Sequence, residues 1–468
     1  MSRNSKLNMG PNQVHENTPL HRGLKQRHIT LMSLGSAIGV GLFLGSATAI
    51  KLAGPSILLA YVVAGIAMFF IMRALGEMAI QNPVAGSFSR YAQDHIGPLT
   101  GFITGWNYWF VWVVTCMGEI TAIGVYMNYW LPGTPGWIWA LAALVIMSAV
   151  NFINVKAYGE FEFWFALIKI VTIILMIIMG LLIILFGIGN GGVATGIHNL
   201  WTHGGFFAHG FKGFLFSFQI VMFAYLGIEM IGLTAGEVEN PEKTLSKAID
   251  NVFWRILIFY VGTLFVVMSL YPWNEIGTTN SPFVLTFEKL GIRGAAGIIN
   301  FVVLTAALSS CNTGIFSTGR MLFNLAEQGQ APRSLGKVTK SGIPAKAVIV
   351  SSIALLIGVV LNLTVPAEAF TWITSIATVG AIWTWAVILL SQIRFRRKMS
   401  AEQASSLKYK TPMFPIGSYL TLVFLVIVVG LIAWSSDTRI AIYVGIVWYA
   451  VLTLCYYMFK SKFVPSKR

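Results

Sequence analysis

Charge is scarce in this chain. Only 10% of its 468 residues are Asp, Glu, Lys or Arg, against about 25% in an ordinary soluble domain. Acid is scarcer still, with 17 Asp and Glu against 32 Lys and Arg. No stretch is long and polar enough to form a second, soluble domain. The three cysteines, Cys116, Cys311 and Cys455, fall singly inside apolar segments. This excludes a disulfide scaffold or a zinc centre and leaves them as small packing residues. There is no phosphate-cradling glycine loop, no metal-ligand pair at helical spacing and no nucleophile–base pair, so an enzyme reading has no chemistry to rest on. His198, His203 and His209 are singletons on a Gly-rich stretch, better read as solvated than as metal ligands. The polar segment 1–28 carries no cleavable signal pattern, and the first apolar span is expected to act as an uncleaved anchor.

What the chain has instead is apolar length. It is 56% hydrophobic, with a mean hydropathy of +0.73. Runs of roughly 20 apolar residues, the length that crosses a bilayer, recur almost end to end. The expected fold class is all-α and integral to the membrane. About twelve transmembrane helices are expected, at 29–51, 55–80, 98–131, 136–155, 161–188, 211–236, 252–272, 295–323, 345–364, 367–393, 413–434 and 439–459. The segment 81–95 reads as a connection with a short interfacial piece. Ten spans form a core at 29–393, whose halves are 29–188 and 211–393. A polar connector at 394–412 leads to spans 11 and 12 at 413–459, and 460–468 is a tail. With both termini placed in the cytoplasm, 26 of the 32 lysines and arginines fall in inward segments and 5 in outward ones. The positive-inside rule requires this bias, so the basic balance needs no nucleic-acid partner.

The first span carries Gly35, Gly39 and Gly41 at mid-membrane depth. Each glycine weakens a helix by roughly 1 kcal/mol relative to alanine, and a chain that unwinds in hydrocarbon must place its freed peptide groups in a cavity or on a ligand. A half-helix starting near Gly41 would aim its N–H groups at an anion. Close helix packing by small residues explains the same glycines. The sixth span shifts the balance, because Phe223-Ala224-Tyr225-Leu226-Gly227-Ile228-Glu229 places a glycine and an acid mid-span, five spans after the first break. Paired interruptions at corresponding positions of two halves point to an inverted-repeat transporter. Carbonyls near Phe223, Ala224 and Leu226 would suit an ammonium group and the N–H groups of span 1 a carboxylate, together the backbone of an α-amino acid.

Four motifs carry a resemblance: Gly35 to Ser46, Leu75-Gly76-Glu77-Met78, Gly159-Glu160-Phe161-Glu162-Phe163-Trp164, and Tyr225 to Glu229 followed by Gly236-Glu237 and Asn240-Pro241-Glu242. In this order the chain resembles the bacterial amino acid permeases of the amino acid–polyamine–organocation superfamily, from Arg22 to about Lys398 and more weakly beyond. The resemblance implies a LeuT-like fold with spans 1–5 and 6–10 as inverted repeats. It also implies proton-driven amino-acid uptake across the cytoplasmic membrane. It assigns the substrate carboxylate to Gly39, Val40 and Gly41, a carbonyl for the ammonium to Ala37, and a gate to Phe223. The candidate site is Ser36, Ala37, Ile38, Gly39, Val40 and Gly41 with Phe223, Ala224, Leu226 and Gly227.

Ionisable residues inside a membrane are functional candidates by default. Lys169, in span 5, is a candidate for proton coupling, since desolvation disfavours the charged form of any buried group. Some proton-coupled relatives have a lysine here in place of a sodium ion. The competing reading is a lysine snorkelling to the interface. Glu119 either faces the cavity or ties span 3 to a neighbour. Glu229 either pairs with freed N–H groups, shapes the site or titrates. Glu160 and Glu162 read as first-turn acids favoured by the helix dipole. The cluster Ser309 to Thr313 either faces Lys169 or holds helices together. Cys116, Glu119 and Trp383 are candidates for the side-chain pocket, with Trp109 and Trp385 weaker ones. No cofactor is implied beyond a transmembrane proton gradient, and the partners are the amino acid and membrane lipid. Neutral substrates or histidine fit best, with exchange by the same fold and a non-transporting receptor as alternatives.

Overall fold

The computed structural model describes residues 38–83, 87–152, 155–188, 190–233, 241–277, 281–289, 293–339 and 342–463, and no strand occurs among them. The first expected span is broken where its glycines cluster. Residues 38–39 form a bend, Gly39 is extended, and helix resumes as α1 (Val40–Phe43) and α2 (Gly45–Ala53). The part of that span before Ile38, with Ser36 and Ala37, lies outside the described residues. Next come α3 (Ile57–Gln81), a short α4 (Ser87–His95) where an interfacial piece was expected, α5 (Pro98–Asn128), α6 (Gly136–Asn151) and α7 (Val155–Phe186). Proline opens α5 where its missing N–H is harmless.

The sixth span stops as α8 (Gly210–Phe223), crosses a non-helical stretch and restarts as α9 (Met230–Leu233). The seventh starts well before the expected residue 252. It runs as α10 (Pro241–Arg255), a π-helical stretch Ile256–Gly262 and α11 (Thr263–Leu270). Then follow α12 (Pro282–Lys289), α13 (Arg293–Glu327), α14 (Ala345–Thr364), α15 (Pro366–Arg397), α16 (Ala401–Ser406), α17 (Ile416–Trp434) and α18 (Ile440–Phe463). Among the described residues, eight helices are long and apolar enough to cross a membrane, and three shorter apolar helices, Gly136–Asn151, Gly210–Phe223 and Leu257–Leu270, fall in further expected spans.

Two helix groups enclose the interior. Helices α5, α6, α13 and α14 pack on one another, while the interrupted α2 and α8 pack together and α8 and α10 pack against α3. Helix α7 lies against α13 and α11, and α15 spans from α5 to α3. Helices α17 and α18 are peripheral, with Val426, Leu454 and Met458 exposed on their outer faces. An apolar exterior is what a lipid-facing surface requires.

At one end of the bundle the polar connector proves to be a strap. It contains α16, whose start is a capping box of Ser400 and Gln403. Its far part is pinned to α3. Glu77, fully buried, accepts Arg396 Nε at 2.5 Å and Nη2 at 2.9 Å, Gln392 Nε2 at 3.2 Å and the Thr411 amide at 2.6 Å. Arg73 donates to Asp250 at 2.8 Å and to the Lys410 carbonyl at 2.5 Å, with its guanidinium 3.8 Å from the Tyr409 ring centre. The connector therefore joins α3, α10 and α15. Removing one partner of a buried ion pair costs about 3–5 kcal/mol, whereas exposed pairs contribute little. Arg396→Ala is expected to lower the thermal inactivation midpoint of the detergent-solubilised protein far more than Lys408→Ala, which breaks the exposed Lys408–Glu242 pair. Equal shifts would show that the strap does not hold the bundle.

Candidate functional site between the broken helices

Two glycines let the broken spans meet. A Cβ on Gly41 would lie 2.7 Å from Ala224 Cα, backbone against backbone. Gly227 has φ of 97°, which a side chain tolerates poorly. The turn at 224–229 is held by its neighbours. Glu229 Oε1 accepts the Gly227 amide at 3.3 Å and the Tyr108 hydroxyl at 3.1 Å, and Oε2 accepts Trp385 Nε1 at 3.3 Å. Of the roles open to Glu229, pairing with freed N–H groups is the one its contacts display. Tyr260 donates to the Ala224 carbonyl at 2.8 Å and stacks on Tyr225 at 5.4 Å. Tyr225 in turn donates to the Tyr61 carbonyl at 2.6 Å. The π-helical stretch carries Tyr260 to this point.

Of the three carbonyls expected to be free, Ala224 is thus engaged and Phe223 accepts the Leu226 amide at 3.1 Å.

Between the breaks lies a cavity of about 20 Å³ lined by Gly39, Gly41, Trp112, Thr115, Glu119, Phe223, Ala224, Leu226, Ser310 and Thr313. That is room for about one water molecule, so side chains must part to admit a solute. The Glu119 carboxyl faces the Val40 amide and Ser310, and a Cβ on Gly39 would come within 2.9 Å of its Oε1. Its Oε2 meets no donor among the described residues. A wider cavity of about 700 Å³, lined among others by Lys51, His209, Lys212, Phe370 and Asp437, opens at the end opposite the strap. Phe370 meets Phe223 edge-on at 6.5 Å, and this pair stands between the two spaces.

Lys169 is fully buried. Its ammonium donates to the Ile38 carbonyl at 3.3 Å, at the break itself, and to Ser309 Oγ at 3.0 Å. Snorkelling is therefore not what the chain does here. Ser309 donates to Glu162 Oε1. Reading Glu162 as a first-turn acid fails because α7 begins at Val155, which puts Glu162 about two turns inside the helix, where it is buried. Its depth was hidden by the misplaced helix start, although a seven-residue spacing to Lys169 is visible in the sequence.

The pocket candidates divide. Glu119 lines the cavity. Cys116 packs between α5 and α13, its Sγ 3.9 Å from the Cys311 carbonyl and 1.9 Å from where a Gly314 Cβ would sit. Trp383 lies away from the cavity, stacked on Tyr449 at 4.6 Å. Trp385, two residues on and so on another face of α15, reaches the site through Glu229. Val40 is buried beside the cavity without lining it.

A helical membrane protein whose chain opens twice around a buried cavity with a few polar groups in its wall is built as a solute carrier. Comparison with known proteins narrows the class. The family model described as amino acid permease matches residues 28–468. The chain is 70% identical over 438 residues to the uncharacterized amino acid permease YtnA of Bacillus subtilis (strain 168), covering 94% of this chain and 95% of the relative. It is 50% identical to the probable threonine/serine transporter YbxG, over 95% of this chain and 96% of that one. It is 48% identical to the amino-acid permease AapA, over 97% and 96%; both are from the same organism. The chain belongs to the amino acid permease family of the amino acid–polyamine–organocation superfamily.

Gly41→Ala is expected to reduce amino-acid uptake by about tenfold or more at unchanged membrane expression, since about 1.4 kcal/mol suffices for that factor. Gly45→Ala, whose Cβ would sit 3.4 Å from the Ile220 side chain, should retain uptake. Normal uptake by Gly41→Ala would show that the close approach is not needed.

Proposed function

We propose that this protein imports neutral α-amino acids by proton symport, alternating access around the breaks at 38–39 and 224–229. The observation that carries this reading is the bond from Lys169 to the Ile38 carbonyl. One buried ammonium holds the unwound backbone of span 1, so a change in its protonation bears directly on the geometry of the site. In this reading the chain has twelve spans in a LeuT-like arrangement, with spans 1–5 and 6–10 as inverted repeats. In this reading both termini are cytoplasmic and the protein lies in the bacterial cytoplasmic (inner) membrane, and the excess of basic residues in the inward segments supports that orientation. The strap then lies on the cytoplasmic side and the wide cavity opens outward, with Phe223 and Phe370 as the gate between it and the inner cavity.

The substrate carboxylate is received by the amides of Gly39, Val40 and Gly41, where a half-helix N-terminus favours negative charge. The ammonium is received by the Leu226 carbonyl and by carbonyls of the segment containing Ser36 and Ala37. Glu119, at the cavity wall, is the second candidate for carrying the proton. The hydroxyls of Thr115, Ser310 and Thr313 beside Trp112 and Phe223 suit a small substrate with a polar side chain. The relative named as a probable threonine/serine transporter supports the same choice. Lipid surrounds the apolar exterior, and the proton gradient is the energy source.

Purified protein in liposomes should accumulate labelled threonine or serine when the outside is made acidic, and Lys169→Ala should lose that accumulation. Uptake indifferent to the gradient yet dependent on amino acid loaded inside would identify an exchanger and overturn the symport reading.

A further inference from the structure

Helix α7 buries an acid and a base two turns apart, Glu162 and Lys169, and a hydroxyl from α13 already joins them. Lys169 donates to Ser309 Oγ at 3.0 Å and Ser309 donates to Glu162 Oε1. All three side chains are buried. The two residues are roughly 10 Å apart along the helix axis, but side chains on a helix lean toward its N-terminus, which brings the long lysine chain down toward the carboxylate. The charged groups facing the ammonium are Glu162 of its own helix and Glu119 of α5. Glu119 borders the substrate cavity, while Glu162 lies on the opposite, strap-side half of α7, beside Asn312 and Thr313. Glu162 Oε2 has no hydrogen-bond partner among the described residues. Stability alone does not account for such an arrangement, because buried ion pairs are often no more stable than apolar residues of similar volume.

We propose that Glu162 is the inward proton acceptor of this carrier, taking the proton of Lys169 through the Ser309 hydroxyl. The step balances without any co-reactant. The ammonium gives a proton to Ser309 Oγ as Ser309 passes its own to Glu162 Oε1. A carboxylate and an ammonium become a carboxylic acid and an amine, and the hydroxyl is restored. Glu162 then releases the proton to water at the cytoplasmic end of α7, and the neutral amine loosens its hold on the Ile38 carbonyl. The chain of groups thus has a direction, from Glu119 at the cavity to Glu162 on the inner side.

This inference rests on the proton-symport reading, and one experiment separates the two. In liposomes, gradient-driven accumulation is compared with counterflow, the exchange of labelled for unlabelled threonine without net proton movement, for wild type, Glu162→Gln, Glu162→Asp and Ser309→Ala. The ratio of accumulation to counterflow should fall by about tenfold or more in Glu162→Gln and Ser309→Ala, and Glu162→Asp should recover part of it. A pH-sensitive dye inside the liposomes should show substrate-driven acidification in wild type and not in Glu162→Gln. A wild type without proton-driven uptake would overturn the symport reading itself. A proton-driven wild type with an unchanged ratio in Glu162→Gln, or with both activities lost in parallel in well-expressed protein, would overturn the role given to Glu162 alone.

Discussion

The contact on which the interior depends is the approach of Gly41 to the backbone of Ala224. Two chains that leave helical geometry inside a membrane expose peptide groups that water cannot reach. Such groups are tolerated only where other parts of the protein satisfy them or where they line a cavity. Here the two breaks lie against each other, and polar side chains from several helices meet the groups they free. Tyr260 takes up the Ala224 carbonyl, Glu229 the Gly227 amide and Lys169 the Ile38 carbonyl. The small cavity between the breaks is what this mutual satisfaction leaves open.

Because the breaks are held from different helices, the site reports on the packing of the whole bundle. Glu229 is gripped by Tyr108 of α5 and Trp385 of α15, and Lys169 reaches from α7 to α13. At one end the strap ties α3 to α10 and α15 through Glu77 and Arg73. At the other end the wide cavity remains open down to Phe370 and Phe223. In the reading proposed above, a closed end and an open end around one central cavity are a single position of an alternating carrier.

Much of this was legible in the residues. The breaks follow from glycine at mid-membrane depth, and the candidate positions Gly39, Gly41, Glu119, Phe223, Ala224 and Leu226 do line one cavity. Other features were not legible, for physical reasons. Trp383 and Trp385 are indistinguishable by composition, and only the rotation of α15 decides that the second reaches Glu229 while the first stacks on Tyr449. Glu162 was misread because the span was started at 161, whereas α7 begins at Val155 and carries Glu162 about two turns inside the helix. That the polar connector is pinned to α3 was not legible because the pairing of Glu77 with Arg396 spans more than three hundred residues.

Hydropathy and glycine placement alone determined that the chain is an apolar helical membrane protein with two interruptions, since lipid permits few ways to satisfy a backbone. Sequence similarity added the permease family. Which buried charges meet, and through which hydroxyl, was decided only in the tertiary structure. Those contacts join helices distant in sequence, and a side chain's partner there depends on helix rotation and onset, which no local pattern encodes.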